Sequence, residues 1–396
     1  MSAPPVPAVV RPLFADDEAT QLVALRRDLH AHPELSWTEA RTQARLEDAL
    51  RGAGIGDIRH IADTGLVARV PGLVAGAPAI ALRGDIDALP VHEATGLPYA
   101  SCHAGIMHAC GHDVHAAWAV GAALLLQRTP ADGDVLVVLQ PAEEVGQGAS
   151  RVLDSGVLDG VRAIFGGHVD CRFEVGQVVA QSGPLAASTD SFTITLTGAG
   201  AHGARPHESA DPVVGLAALV TALQTIVSRR LDPAQPGVVT VGVVQAGTAP
   251  NIIPESATLR GTVRATTAAS RDLIVGEVDR LAFGVAAAYR LQADVAWGHR
   301  TPPVVNAPDG ARWAADAVTR VLGTEANVPL ETTNMGGEDF AFYLERIPGC
   351  FLRIGAREPG GEAIAAHSPR FQPAEEALFI GAAVLAECAR VASASS

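Results

Sequence analysis

Four short and almost wholly apolar runs constrain the fold of this chain more than any other feature: AIALRG at 79–84, DVLVVLQP at 134–141, AIFGGHV at 163–169 and GCFLRIGA at 349–356. Runs this short and this continuous read as strands buried on both faces, the situation created when helices cover a mainly parallel sheet. The first of them is expected to end at Gly84. The segments between the first three, VHAAWAVGAALLLQR and RVLDSGVL, have helical spacing, so this half of the chain reads as βαβ units. Further helices are expected in DEATQLVALRRDLH, in WTEARTQARLEDALRGAG with Gly52 and Gly54 as stop signals, in DGARWAADAVTRVLG and in the closing EEALFIGAAVLAECARVAS.

The pattern changes between Ser191 and Trp297. SFTITLT alternates like a half-exposed strand, DPVVGLAALVTALQTIVSRR reads as a helix, VVTVGVVQAG and ATLRGTVRA are strands, and a second helix and strand follow. In the first of these helices Val213, Leu216, Ala217, Val220, Leu223, Gln224 and Val227 are expected to face a sheet. The order β-α-β-β-α-β is the split, ferredoxin-like unit. Pro184 and the pair Pro302 and Pro303 lie near its junctions. The expected architecture is therefore α/β: a discontinuous catalytic domain, 1–184 and 300–396, with a mainly parallel mixed sheet flanked by helices, and an inserted α+β domain at 185–299 serving as a lid or dimerisation unit.

Charge narrows the function. There are 29 basic and 43 acidic residues, a net charge of −14, which disfavours a surface that tracks phosphates or an anionic membrane. All the basic residues are arginine, so a lysine Schiff base and a P-loop lysine are excluded. The opening MSAPPVPAVVRPLF lacks a basic segment followed by an apolar run, and no stretch is read as approaching the roughly 18 apolar residues of a membrane span. A cytoplasmic protein acting on a small molecule is expected, with no nucleic acid or membrane partner. Cys102, Cys110, Cys171, Cys350 and Cys388 are odd in number and widely spread, unlike a disulfide framework.

Gly198-Ala-Gly200-Ala-His-Gly203 fits the dinucleotide pattern G-x-G-x-x-G, but Pro206 and Pro212 delay the following helix to about residue 212, so no helix N-terminus opens in that loop. A stronger signal is MHACGHDVH, which brings His108, Cys110, His112 and His115 into eight residues. Alone it fits a closed local zinc site or ordinary core histidines as well as an open centre. Other acids and histidines, however, stand just beyond the apolar strands: Asp85 and Asp87, Glu143 and Glu144, His168, and, further on, His367. The carboxyl ends of parallel strands open into one crevice, where such segments converge. Of two adjacent glutamates there, one can ligate a metal while its neighbour accepts a proton from water.

Taken together, LRRDLHAHPELSWTEARTQ, RGDIDALPV, GIMHACGHDVHAA, QPAEE, GGHV, GAGAHGARPH with DPV, APNIIPE with GTVR, MGGEDFAFY and HSPRF resemble the di-metal amidohydrolases that include hippurate hydrolases, N-acyl-amino-acid aminoacylases and plant auxin-conjugate hydrolases. The resemblance implies two divalent ions, zinc or manganese with cobalt or nickel possible, held by Cys110, His112, Glu144, His168 and His367, with Glu143 as general base and acid. It implies that His202 stabilises the oxyanion, often across a homodimer, that Asn251 and Arg264 contact the substrate, and that Asp85, Asp87 and Asp113 orient ligands or balance charge. Cys171, where a proline is common, and Asn334, where a small residue is usual, depart from the pattern and bear on specificity. The implied reaction is hydrolysis of N-acyl or N-aroyl amino acids. A dipeptidase or carboxypeptidase with the same metals is the alternative, and a non-catalytic binding protein or a redox enzyme are the other classes weighed.

Overall fold

The computed structural model describes residues 7–394. The four apolar runs form the strands Ile80–Asp85, Val135–Gln140, Ala163–Glu174 and Gly349–Arg357. They lie parallel at the centre of a seven-stranded sheet, in the order Val135–Gln140, Ile80–Asp85, Ala163–Glu174, Gly349–Arg357. Gly65–Val70 and then Ile58–Ile61 extend one side and Val178–Val179 the other, each antiparallel to its neighbour. Every residue of Ile80–Asp85 is buried, so the apolar run is read on both faces, as expected of a covered parallel strand. The strand ends at Asp85, one residue beyond Gly84.

Helix His112–Arg128 is apolar all round and buried on nearly every side, Trp118 included. It packs with Glu376–Ala394, also a core helix, and with the Leu22, Leu25 and Leu29 stripe of Asp16–Ala31. Arg390 closes its end, donating from Nε to the Thr129 carbonyl at 2.9 Å and from Nη2 to that of Leu125 at 3.1 Å.

By contacts the chain divides into two compact units. One takes in the chain up to Gly183, Val305–Glu331 and the chain from Asp339 onward, and the other is Pro184–Val304 with Thr332–Glu338. The second unit has the strands Thr189–Thr197, Gly237–Ala246, Ser256–Ala265 and Gln292–Thr301 and the helices Pro212–Thr225 and Ala268–Ala288. Its sheet is antiparallel, in the order Gly237–Ala246, Ser256–Ala265, Thr189–Thr197, Gln292–Thr301, which is the ferredoxin-like topology. It has its own core, built on Phe192, Ile194, Leu196, Leu219, Leu223, Leu259, Ile274 and Val278.

Two expectations are corrected. The helix at Pro212 buries Leu216, Leu219, Leu223 and Ile226, while Val213 is 42% and Val227 37% exposed. The segment is apolar on all sides, so periodicity alone does not select the buried stripe. Two helices, Pro212–Arg230 and Glu376–Ala394, are also long and apolar enough to cross a membrane by length and composition. Glu376–Ala394 is instead buried in the core of the first unit, and Pro212–Arg230 lays its leucines on the second unit's sheet.

Candidate metal centre

The centre is assembled where helix His112–Arg128 begins against the end of strand Ile80–Asp85. Gly84 permits that approach: a Cβ there would stand 2.4 Å from the His115 carbonyl oxygen. Gly111, immediately before the helix, has φ +90°, a left-handed conformation that costs glycine little, and it turns Cys110 and His112 into the same space.

Cys110 Sγ lies 3.1 Å from His168 Nε2. The donor atoms of Cys110, His112 and His168 are all within 4.8 Å of one another, as are those of Cys110, Glu144 and His367, and those of His112, Glu143 and Glu144. His112 Nε2 stands 3.8 Å from Glu144 Oε1 and 3.9 Å from Glu143 Oε2, and His367 Nε2 stands 3.7 Å from Glu144 Oε2. All six residues singled out in the first unit thus meet in one cluster.

Both inner histidines are fixed by their outer nitrogens. His112 Nδ1 donates to the Asp87 carbonyl at 2.8 Å and His168 Nδ1 to the Val169 carbonyl at 2.6 Å, which turns each Nε2 towards the cluster. His112 Nε2 and Glu144 Oε1 are buried without a hydrogen-bond partner among the described residues. Burial pushes the Glu144 carboxyl up to about 7, against the pull of His112, and drives the Cys110 thiol well above its usual range. Imidazole nitrogens, a thiol and two carboxylates converge on one space, and a divalent cation fits that donor set.

The surrounding aspartates hold this arrangement. The Asp87 carboxylate accepts the backbone N–H of Glu143 at 3.1 Å and that of Glu144 at 3.0 Å, together with the Ser36 hydroxyl at 2.7 Å. Asp85 takes His115 Nδ1 at 2.6 Å and pairs with Arg83. Asp113 is engaged by Arg26 Nε at 2.8 Å and His30 Nδ1 at 2.9 Å. His115 is no ligand, because its Nε2 accepts the Val169 N–H at 3.0 Å and its ring stacks on Trp118. His108 is buried outside the cluster, and burial lowers its pKa to about 4, so it is neutral. Two non-glycine residues at the site are left-handed, Ala142 at φ +54° and His367 at φ +68°. Such strain is found where function holds a backbone in place.

Sequence reasoning missed the buried group behind Glu143. The Asp339 N–H donates to Glu143 Oε1 at 3.4 Å, and the Asp339 carboxylate is held by Arg83 and Gln140. An arginine in the middle of an apolar strand was the available signal.

The remaining predicted residues belong to the second unit. His202 is exposed on the two-residue strand Ala201–His202, opposite Ile252 of Ile252–Ile253, and its Nδ1 accepts the Ala204 N–H at 3.1 Å. Asn251 is brought beside it, its carbonyl accepting the Gly203 N–H at 2.8 Å. Arg264 is half-buried and donates from Nη1 to the Thr189 hydroxyl. Its neighbour Asp190 is already occupied by Arg271 at 2.8 Å and Arg300 at 3.0 Å, and burial lowers the Arg264 pKa.

A cysteine, histidines and paired glutamates gathered near the ends of parallel strands are the donor set of a metal-dependent hydrolase. The chain belongs to the peptidase family M20/M25/M40, whose family model matches residues 81–391. It is 42% identical over 374 residues to an N-acetylcysteine deacetylase of Bacillus subtilis (strain 168), covering 93% of this chain and 96% of that protein. An IAA-amino acid hydrolase of Arabidopsis thaliana is 36% identical over 374 residues, covering 93% of this chain and 84% of that protein. A crystal structure of a dinuclear metal binding peptidase from the M20 family, from Bacillus subtilis, superposes with a TM-score of 0.84 at 37% identity, covering 95% of this chain and 99% of that one.

Proposed function

We propose that this chain cleaves the amide bond of N-acyl or N-aroyl amino acids, releasing a carboxylic acid and a free amino acid. The observation that carries the reading is the convergence of Cys110, His112, Glu143, Glu144, His168 and His367 in one cluster, its inner side chains buried and His367 on its exposed rim. The deacetylase and the conjugate hydrolase among its relatives support the substrate class. Cys110, His112, Glu144, His168 and His367 would hold two divalent ions, zinc or manganese, with cobalt or nickel also suited to mixed sulfur, nitrogen and oxygen donors. When bound, such a pair supplies Lewis acidity, polarising an amide carbonyl and drawing the pKa of a water from about 15.7 towards about 7.

Glu143 moves the proton. Its Oε1 receives the Asp339 N–H, so Oε2, facing the cluster, takes the proton from water and hands it to the leaving amine. His202 stabilises the oxyanion, Asn251 contacts the substrate, and Arg264 receives the amino-acid carboxylate. The second unit serves as lid and dimerisation domain, and its outer strand Gly237–Ala246, with Val238 and Val244 exposed, supports pairing between two copies. Five free cysteines support a reducing compartment, the cytoplasm.

The test is metal content and amide hydrolysis on one preparation. Acetyl-, benzoyl- and indole-acetyl-amino acids are compared with simple dipeptides before chelation, after it and on metal return. Chelator-sensitive release from the acylated substrates is expected. A preference for substrates with a free N-terminal amine would replace this reading with the peptidase one.

A further inference from the structure

Arg83 occupies the middle of strand Ile80–Asp85, with no exposed surface, and a cation buried there needs a reason. Each of its nitrogens serves a different acceptor. Nη1 pairs with Asp85, Nη2 reaches Asp339 Oδ1 at 2.9 Å and Nε reaches Gln140 Oε1 at 2.9 Å. Gln140 closes the loop, its Nε2 donating to the Asp339 carboxylate at 2.9 Å while its Oε1 also accepts the Tyr343 hydroxyl at 3.0 Å. The Ala149 N–H adds a further donor to Asp339 at 2.9 Å. Replacing a buried ion group by apolar residues of the same volume is often neutral for stability, so stability alone does not account for this one. What the guanidinium offers is a rigid planar fork, which a lysine cannot reproduce.

The two carboxylates on that fork lead to different parts of the centre. Asp339, through its own N–H, touches Glu143 Oε1. Asp85 holds His115, whose Nε2 accepts the backbone N–H next to His168, and it also lies 3.5 Å from His112 Nε2. We infer that Arg83 is a positioning residue that ties the orientation of the general base, through Asp339, to the orientation of the histidine ligands, through Asp85. This rests on the amidohydrolase reading for the role of Glu143, but not for the link itself.

The test compares Arg83→Lys, Asp339→Asn and the double variant, each checked for folding by circular dichroism. Mn²⁺ affinity is measured by chelator competition, and kcat and KM on an N-acyl amino acid. Asp339→Asn, which changes a carboxylate held by Arg83, Gln140 and the Ala149 N–H, is expected to weaken Mn²⁺ binding by roughly 10-fold and to lower kcat by about 10- to 100-fold, with KM changed less than about 3-fold. In an Arg83→Lys background Asp339→Asn is expected to add little, since the two act through one link. Wild-type Mn²⁺ affinity in Asp339→Asn, or losses that multiply in the double variant, would overturn the inference. If Arg83→Lys does not fold, the Mn²⁺ affinity of Asp339→Asn decides alone. If the wild-type protein hydrolyses no N-acyl amino acid, the functional reading fails, while the metal-affinity comparison still judges Arg83.

Discussion

In the first unit each inner histidine of the cluster arrives with its far side already engaged, His112 by Asp87 and His168 by a backbone carbonyl, whereas in the second unit His202 and Asn251 stand exposed on a short hairpin with local backbone contacts. The contrast separates two kinds of work. On the proposed reading, the groups for metal and proton chemistry are preorganised, most of them buried with His367 at the rim, and misplacement by about 1 Å there can cost on the order of 100-fold in rate. The groups proposed to meet the substrate are left accessible. Arg264 lies between these extremes, half-buried, with the nearby Asp190 committed to two other arginines.

The largest effect is expected at Glu143. Glu143→Gln keeps its shape and the Asp339 contact but loses the proton acceptor, so kcat should fall by about 10²- to 10⁴-fold with metal content unchanged. Steady-state rates beside elemental analysis check this, and a fully loaded, fully active variant would break the division of labour. For His202→Ala, a loss of about 10²- to 10³-fold in kcat with wild-type Mn²⁺ affinity is expected. Loss of metal instead would place His202 with the ligands. Asp87→Asn should act in the opposite sense, weakening Mn²⁺ binding by about 10- to 100-fold, because one carboxylate positions both glutamates and His112. Chelator competition measures it, and an unchanged affinity would show that the glutamates hold themselves.

The last effect concerns the stability of the first unit rather than its chemistry. Burial would lower the His30 pKa, but the Asp113 and Glu93 carboxylates outweigh it and raise it to about 9. A raised imidazole stabilises the fold fully below its unfolded value near 6.5 and loses that contribution as pH climbs through about 9. Denaturant unfolding between pH 6.5 and 9 should therefore show a decline on the order of 3 kcal/mol that His30→Gln abolishes. The same slope in both proteins would assign the decline elsewhere.

Much of this was readable in the sequence because the relevant signals are local. An apolar run that ends in Asp85, in Gln140-Pro141 or at His168 announces both a buried strand and a polar group at its end. The link from Arg83 to Asp339 was not readable, since 256 positions separate the partners and neither Gln140 nor Tyr343 carries any mark of its role. The roles of MHACGHDVH also needed geometry. Only the acceptor and donor around His115 show that it holds backbone while its neighbour His112 faces the cluster. The helix at Pro212 failed for another reason, as apolar residues around its whole circumference leave the buried stripe to be chosen by the leucines that reach the sheet.

His367 keeps a backbone conformation, φ +68°, that suits glycine and costs a histidine on the order of 1 kcal/mol or more. Selection for thermal resistance alone would therefore reward His367→Gly, a change that relaxes the loop and removes an imidazole from the cluster. At this position durability and chemistry pull apart, and a stabilised variant from an activity-blind screen should be sequenced there first.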